Sequence, residues 1–187
     1  MSLNSPNEPN YLCWLDCEFT NLDPQRDLLL QVGVVVTDYA LTIHNEYQAY
    51  IEHDISEVEQ AMSRDGWWES RPERRQEVLT QVAAGQPAQA VEATLLEITQ
   101  PFFPDKITVA GNSPRRDFDF VERFLPKFGN KLHYRMLDVT SLKLLVKGLY
   151  GIEMSKASRH EARSDILESM DELAFLIRVL RQGDTIL

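Results

Sequence analysis

The chain has 187 residues, of which 43% are hydrophobic and 26% charged, with a formal net charge of −10. That is the length of one ordinary domain, enough to bury most of its apolar surface around a single core. No run approaches the roughly 18–20 apolar residues that span a bilayer, and the acidic balance argues against a protein that grips long nucleic acid along a basic stripe.

The start, MSLNSPNEPN, is polar and lacks the apolar segment of a secretory signal. It reads as a flexible tail over 1–10, with 11–187 as one domain in the cytoplasm. Residues 11–19 (YLCWLDCEF) form an apolar run that predicts a buried strand. The β-branched stretch 28–37 predicts a second, and Asp38-Tyr39-Ala40 turns the chain into a third, Leu41 to Ile51. Cys13 and Cys17, the only cysteines, both lie in the first run. Four residues of strand separate them by roughly 13 Å, beyond disulfide reach, and no second Cys/His pair completes a zinc site. They read as buried, reduced thiols.

Helical spacing follows the third strand. Ser56 and Glu59 have the capping-box pattern before a helix near 57–65, and 72–84 and 87–100 read as two more, broken at Gly85-Gln86-Pro87. KITVA (106–110) predicts a short buried strand, Pro114 the start of a helix to about Phe128, and YRMLDV (134–139) another strand before a helix from Ser141. The last element, about 160–182, is an amphipathic helix carrying Ile166, Met170, Leu173, Ile177 and Leu180. A meander followed by alternating strands and helices gives an α/β fold with a mixed sheet. Only RPERR (71–75) and PRR (114–116) are locally basic, so a nucleic-acid substrate would be short or locally held.

Three segments carry chemistry. Asp16 and Glu18, two apart on a strand, project from one face. Two carboxylates amid apolar residues are costly unless the strand end opens to solvent or cations neutralise them, and hard oxygen ligands suit Mg²⁺ or Mn²⁺. The bland alternative is a strand-edge pair, one residue bound to an arginine. His160 and Asp165, at the start of the last helix, lie roughly 140° apart around a helix and share a site only if His160 precedes the first turn; a histidine there is otherwise an ordinary surface residue. Asp117 follows Gly111-Asn112-Ser113 in the first turn of its helix, a position carboxylates favour anyway, and Asp119 competes with it.

Together these segments resemble the DnaQ-like DEDDh 3′→5′ exonucleases, and among them the oligoribonucleases. The resemblance rests on the D-x-E strand (Asp16, Glu18), Asp117 after Gly-Asn-Ser, and H-x-A-x-x-D (His160, Ala162, Asp165). The oligoribonuclease-like stretches are Glu18 to Pro24, Gly111-Asn112-Ser113 and His133 to Lys143. It implies a ribonuclease H-like, mixed five-stranded sheet flanked by helices. It also implies two divalent ions held by Asp16, Glu18, Asp117 and Asp165, with Asp16 bridging and His160 taking the proton from the attacking water. The implied substrates are short single-stranded oligoribonucleotides cut to 5′-mononucleotides. Leu22 would wedge between bases, Trp68 would stack, with Trp67 leaving that register open, and Ser113, Arg135 and Thr140 would cap the 5′-phosphate. Tyr134 resembles a tyrosine that reaches the neighbouring subunit's site to serve binding and catalysis, which implies a homodimer. The family's histidine a few residues after the tryptophan is missing. Glu73 falls there, with Arg71, Arg74 and Arg75 nearby, so an arginine substitutes or the cap is altered. Rival readings are an exonuclease trimming longer RNA or DNA, a silent nucleotide-binding module, or another two-metal phosphodiesterase.

Overall fold

A computed structural model describes residues 11–64, 66–154 and 161–183. His160 and the expected tail over 1–10 therefore lie outside the described residues. Five strands form one mixed sheet in the order β3-β2-β1-β4-β5. The strands β1 (Tyr11–Phe19), β2 (Leu29–Asp38) and β3 (Ile43–Tyr50) are the antiparallel meander. On the other side of β1, β4 (Val109–Gly111) and β5 (Leu137–Asp138) run parallel to it.

The alternation of side chains along β1 divides the core in two. Cys13, Leu15 and Cys17 face a cluster with Val91, Leu95, Phe118, Phe120, Val121 and Phe128. These come from the helices α4 (Ala88–Thr99), α5 (Arg115–Phe124) and α6 (Pro126–Gly129). Leu12 and Trp14 face the opposite cluster, with Val139 and Val146 of α7 (Val139–Tyr150) and Ile166, Met170, Leu173 and Leu176 of α8 (Ala162–Gly183). Asp16 and Glu18 continue that second face, where the apolar cover of α8 runs out at its first turn.

A third, smaller cluster joins Leu30 to α1 (Ile55–Met62), α2 (Gly66–Glu69) and α3 (Pro72–Ala83). Here local chemistry departs from expectation. The cap of α1 is Asp54, whose carboxylate accepts from Ser56 N at 2.8 Å, so the helix starts before the Ser56–Glu59 box. α2 is a single turn with no periodicity to announce it. The helix expected from Pro114 to Phe128 breaks at Leu125 (φ −132°, ψ 61°). Leu125 precedes Pro126, and proline disfavours helical backbone in the residue before it. The strand expected over 134–139 shrinks to two residues because Asp138 turns the chain into α7, accepting from Thr140 N at 2.9 Å. The 106–110 strand likewise starts late, with Ile107 making only a single bridge to Leu132.

Candidate active site

One ligand oxygen from each of Asp16, Glu18 and Asp165 lies within 4.8 Å of the other two. Three carboxylates at that spacing repel one another strongly in a partly buried setting. A divalent cation removes the repulsion and finds hard oxygen donors in place. The residues present therefore fit a divalent ion.

What brings Asp165 to β1 is the way α8 lands on the sheet. Gly33 pairs with Asp16 in the β1–β2 register, and a Cβ on Gly33 would stand 2.7 Å from the Cβ of Ala162. Only glycine beneath alanine lets the helix come this close. Two amides then fix its first turn. Gln31, fully buried, accepts from Ala162 N at 3.1 Å. Gln48 accepts from Arg163 N at 2.8 Å and donates to Glu161 at 2.9 Å. Asp165, 4% exposed, is thus delivered over the β1 carboxylates by residues of β2 and β3. Gly33, Gln31 and Gln48 gave no signal in the sequence, because their role depends on strand register.

Asp117 enters from the other face. Its Oδ1 accepts from Cys17 N at 2.9 Å, past the short β4 ladder that pairs only Cys13 and Trp14. It stands outside the triangle of the other three. Burial pushes its carboxyl up to about 7, with Glu18 adding to the rise and the amides of Asp117 and Cys17 opposing it. Asp119, the competing candidate, is instead bound to Arg115 on the same helix, at 2.5 Å. The Cys17 thiol is held well above its usual range, first by burial and then by Asp117, Asp16 and Glu18, and burial pushes Cys13 up to about 12. Both cysteines are free and buried.

Beside the triangle lies a cavity of about 230 Å³ lined by Glu18, Phe19, Thr20, Asn21, Leu22, Trp67 and Trp68. Leu22 is 59% exposed at its lip. Trp68 is 4% exposed and sits in the third cluster, its indole N–H donating to the Thr20 carbonyl at 2.6 Å. The expected stacking residue is therefore fastened into the cavity wall, while Trp67 beside it is only half-buried. The basic stretch at 114–116 serves the scaffold, since Arg116 binds the Leu22 carbonyl and Arg115 binds Asp119.

On the far side, Gly111 permits a close crossing, because a Cβ there would meet the Leu15 carbonyl oxygen at 2.9 Å. Ser113 follows with φ 55°. Its N–H donates to Asp138 at 2.9 Å, and its hydroxyl lies 3.0 Å from that of Thr140. Asn112 ties this corner to α8, donating to Ser169 and Glu172 at 2.7 Å each. Ser113 and Thr140 are thus brought together. Arg135 lies instead over the ring of Tyr134, at 5.3 Å, and Tyr134 is 70% exposed.

The exonuclease family designated RNase_T matches residues 13–173. The oligoribonuclease of Tropheryma whipplei is 35% identical over 171 residues, covering 89% of this chain and 91% of that protein. The oligoribonuclease of Thiobacillus denitrificans is 35% identical over 181 residues, covering 94% and 95%. Among solved structures, E. coli exonuclease I bound to an oligonucleotide superposes with a TM-score of 0.61 at 12% identity, which speaks for the fold alone. The match covers 94% of this chain but only 42% of exonuclease I. With the ribonuclease H-like mixed sheet in place, the chain belongs to the RNase_T exonuclease family, on its oligoribonuclease branch.

Proposed function

We propose that the protein is a metal-dependent 3′→5′ exoribonuclease that cuts short oligoribonucleotides to 5′-mononucleotides. The observation that carries this reading is the triangle of Asp16, Glu18 and Asp165, opening onto a cavity sized for a base and sharing Glu18 with it. Those three residues would hold the metal, with Asp117 contributing from the opposite face, and Mg²⁺ or Mn²⁺ suits the donor set. A pair of such ions, when bound, activates a water and stabilises charge on the phosphate.

The rest falls to the chain's own residues. His160, next to Glu161 and two residues before α8, takes the proton from the attacking water, a role suited to a base titrating near neutral pH. Leu22 and the indole pair confine the terminal base, which packing without hydrogen-bond readout holds irrespective of sequence. Ser113 and Thr140 receive the 5′-phosphate, and Arg135 supplies the charge by swinging from the Tyr134 ring on which it lies. A cap there limits the substrate's length, in keeping with a net charge of −10.

We infer a homodimer in which Tyr134 serves the neighbouring site. Its 70% exposure supports this, as do Leu144, Leu145 and Leu149, exposed on α7. No helix among the described residues is long and apolar enough to cross a membrane. The free, buried cysteines suit a reducing compartment such as the cytoplasm.

The test is turnover of labelled RNA and DNA of two, five and twenty nucleotides with Mg²⁺ or Mn²⁺. Release of mononucleotides fastest from the shortest RNA, abolished by EDTA, is the expected result. Preference for the longest oligomer would overturn the cap, and turnover untouched by EDTA would overturn the metal site.

A further inference from the structure

The segment 71–75 holds three arginines close to the cavity, and the structure assigns them different work. Arg75 turns away to Glu59, at 3.5 Å, on α1. Arg74 is committed to Glu77, at 3.0 Å, with its side chain only 17% exposed. Arg71 is exposed, and its guanidinium carbon lies 4.3 Å from the centroid of the Trp67 ring that lines the cavity. Its Nη1 donates to the Trp67 carbonyl at 3.2 Å and to the Ser70 hydroxyl at 2.9 Å.

A guanidinium offers five N–H donors in a rigid fork. The bonds formed among the described residues use one nitrogen, so the Nε–Nη2 edge remains to meet a ligand, on a side chain already ordered by the indole beneath it. Ordering in advance lowers the entropy lost on binding. The adjoining catalytic corner is acidic, and a polyanionic substrate needs a local cation to approach it.

We propose that Arg71 is a substrate-binding residue, whose guanidinium, stacked on Trp67, grips a phosphate of the oligonucleotide next to the base in the cavity. This rests on the exonuclease reading above and adds a specificity element to it. The Trp67 ring that carries the fork lines the same cavity as Glu18 and Leu22, so the guanidinium stands beside that cavity, exposed and already fixed on an aromatic face. The exposed carboxylate of Glu73, in the first turn of α3, is the charge it must outweigh.

The experiment compares Arg71→Gln, Arg71→Lys and Arg75→Gln on a ribopentamer with Mg²⁺, between 50 and 200 mM salt. Arg71→Gln should raise KM roughly 10-fold, the worth of one charge-assisted hydrogen bond. It should also lower the slope of log KM against log salt by about 0.7, one phosphate contact on a single strand. Arg71→Lys should keep the slope and recover part of the KM, and Arg75→Gln should match the parent chain. A KM within twofold for Arg71→Gln overturns the proposal. So does a higher KM with an unchanged salt slope, which would reduce Arg71 to packing on Trp67, or a fall in kcat alone. Equilibrium binding of the same labelled pentamer reads the Arg71 contact without turnover. A parent chain that binds it in an Arg71-dependent way but releases no mononucleotide would refute the exonuclease reading and leave this inference standing.

Discussion

The two sides of the active site are built in different ways. The carboxylate triangle is assembled from inside the fold: β1 supplies two residues, and α8 supplies the third because Gly33, Gln31 and Gln48 seat its first turn. The proposed substrate rim is assembled from side chains on loops and a short helix: Leu22, Arg71, Ser113 and Arg135, which are exposed, and Trp67, which is half-buried. In the first region backbone register fixes the geometry, so a mistake of one residue would dismantle it. In the second the contacts are local, Arg71 on Trp67, Ser113 with Thr140 and Arg135 on Tyr134, and a change in one leaves the seating of α8 on β1 in place.

That contrast can be broken at its strong end first. Asp165→Asn should cut kcat by roughly 10³-fold or more, the scale expected when an electrostatic centre of this kind loses a charge, while leaving the melting temperature near that of the parent. A folded Asp165→Asn chain with undiminished turnover in Mg²⁺ would falsify the site.

Asp117 offers a pH test. Its folded pKa of about 7 lies above the ordinary value of 3.8, so between those values the native state binds more protons than the unfolded chain. The carboxyl therefore costs nothing below about pH 4, and its cost grows as pH rises to about 7. Asp117→Asn, measured in EDTA, should gain on the parent over that range by a few kcal/mol, or several degrees in Tm. Parallel Tm–pH curves for the two chains would show that the burial cost is absent. Activity in metal should fall in the same variant.

The seat of α8 comes next. Gly33→Ala puts two Cβ atoms 2.7 Å apart and should cost about 1–3 kcal/mol, the usual range for overpacking, with turnover falling as Asp165 is pushed away. The double variant Gly33→Ala/Ala162→Gly moves the methyl from helix to strand and should recover most of both losses. Failure to recover would mean that the contact is not what seats the helix.

The smallest effects separate the tryptophans. Trp68→Phe loses the hydrogen bond to Thr20 and should lower Tm by about 2–4 °C. Trp67→Ala should leave Tm nearly unchanged but raise KM several-fold through lost packing on the base. The reverse pattern would put the stacking role on Trp68.

Much of the centre was legible in the sequence, and for a physical reason. A D-x-E pair within an apolar strand is an anomaly that burial makes costly, so it stands out. The difference between Asp117 and Asp119 was not legible from local chemistry, since both lie near a helix start; it appears only in the fold, where Asp117 accepts from the Cys17 amide and Asp119 binds Arg115. The rim was harder still. Trp67 and Trp68 are adjacent on a four-residue helix too short to show a period, and which indole is buried depends on what α1 and α3 place around it. Gly33 and Gln48 look ordinary in their strands and acquire a role only when a helix from far along the chain is laid across them.

That last arrangement bears on when the centre is completed during synthesis. The five described strands of the sheet precede α8 in the chain, so both β1 carboxylates are synthesised long before Asp165. Catalytic competence arrives late in synthesis, once the closing helix has emerged and docked. Until then the chain carries two of the three carboxylates but not the helix that brings the third to them.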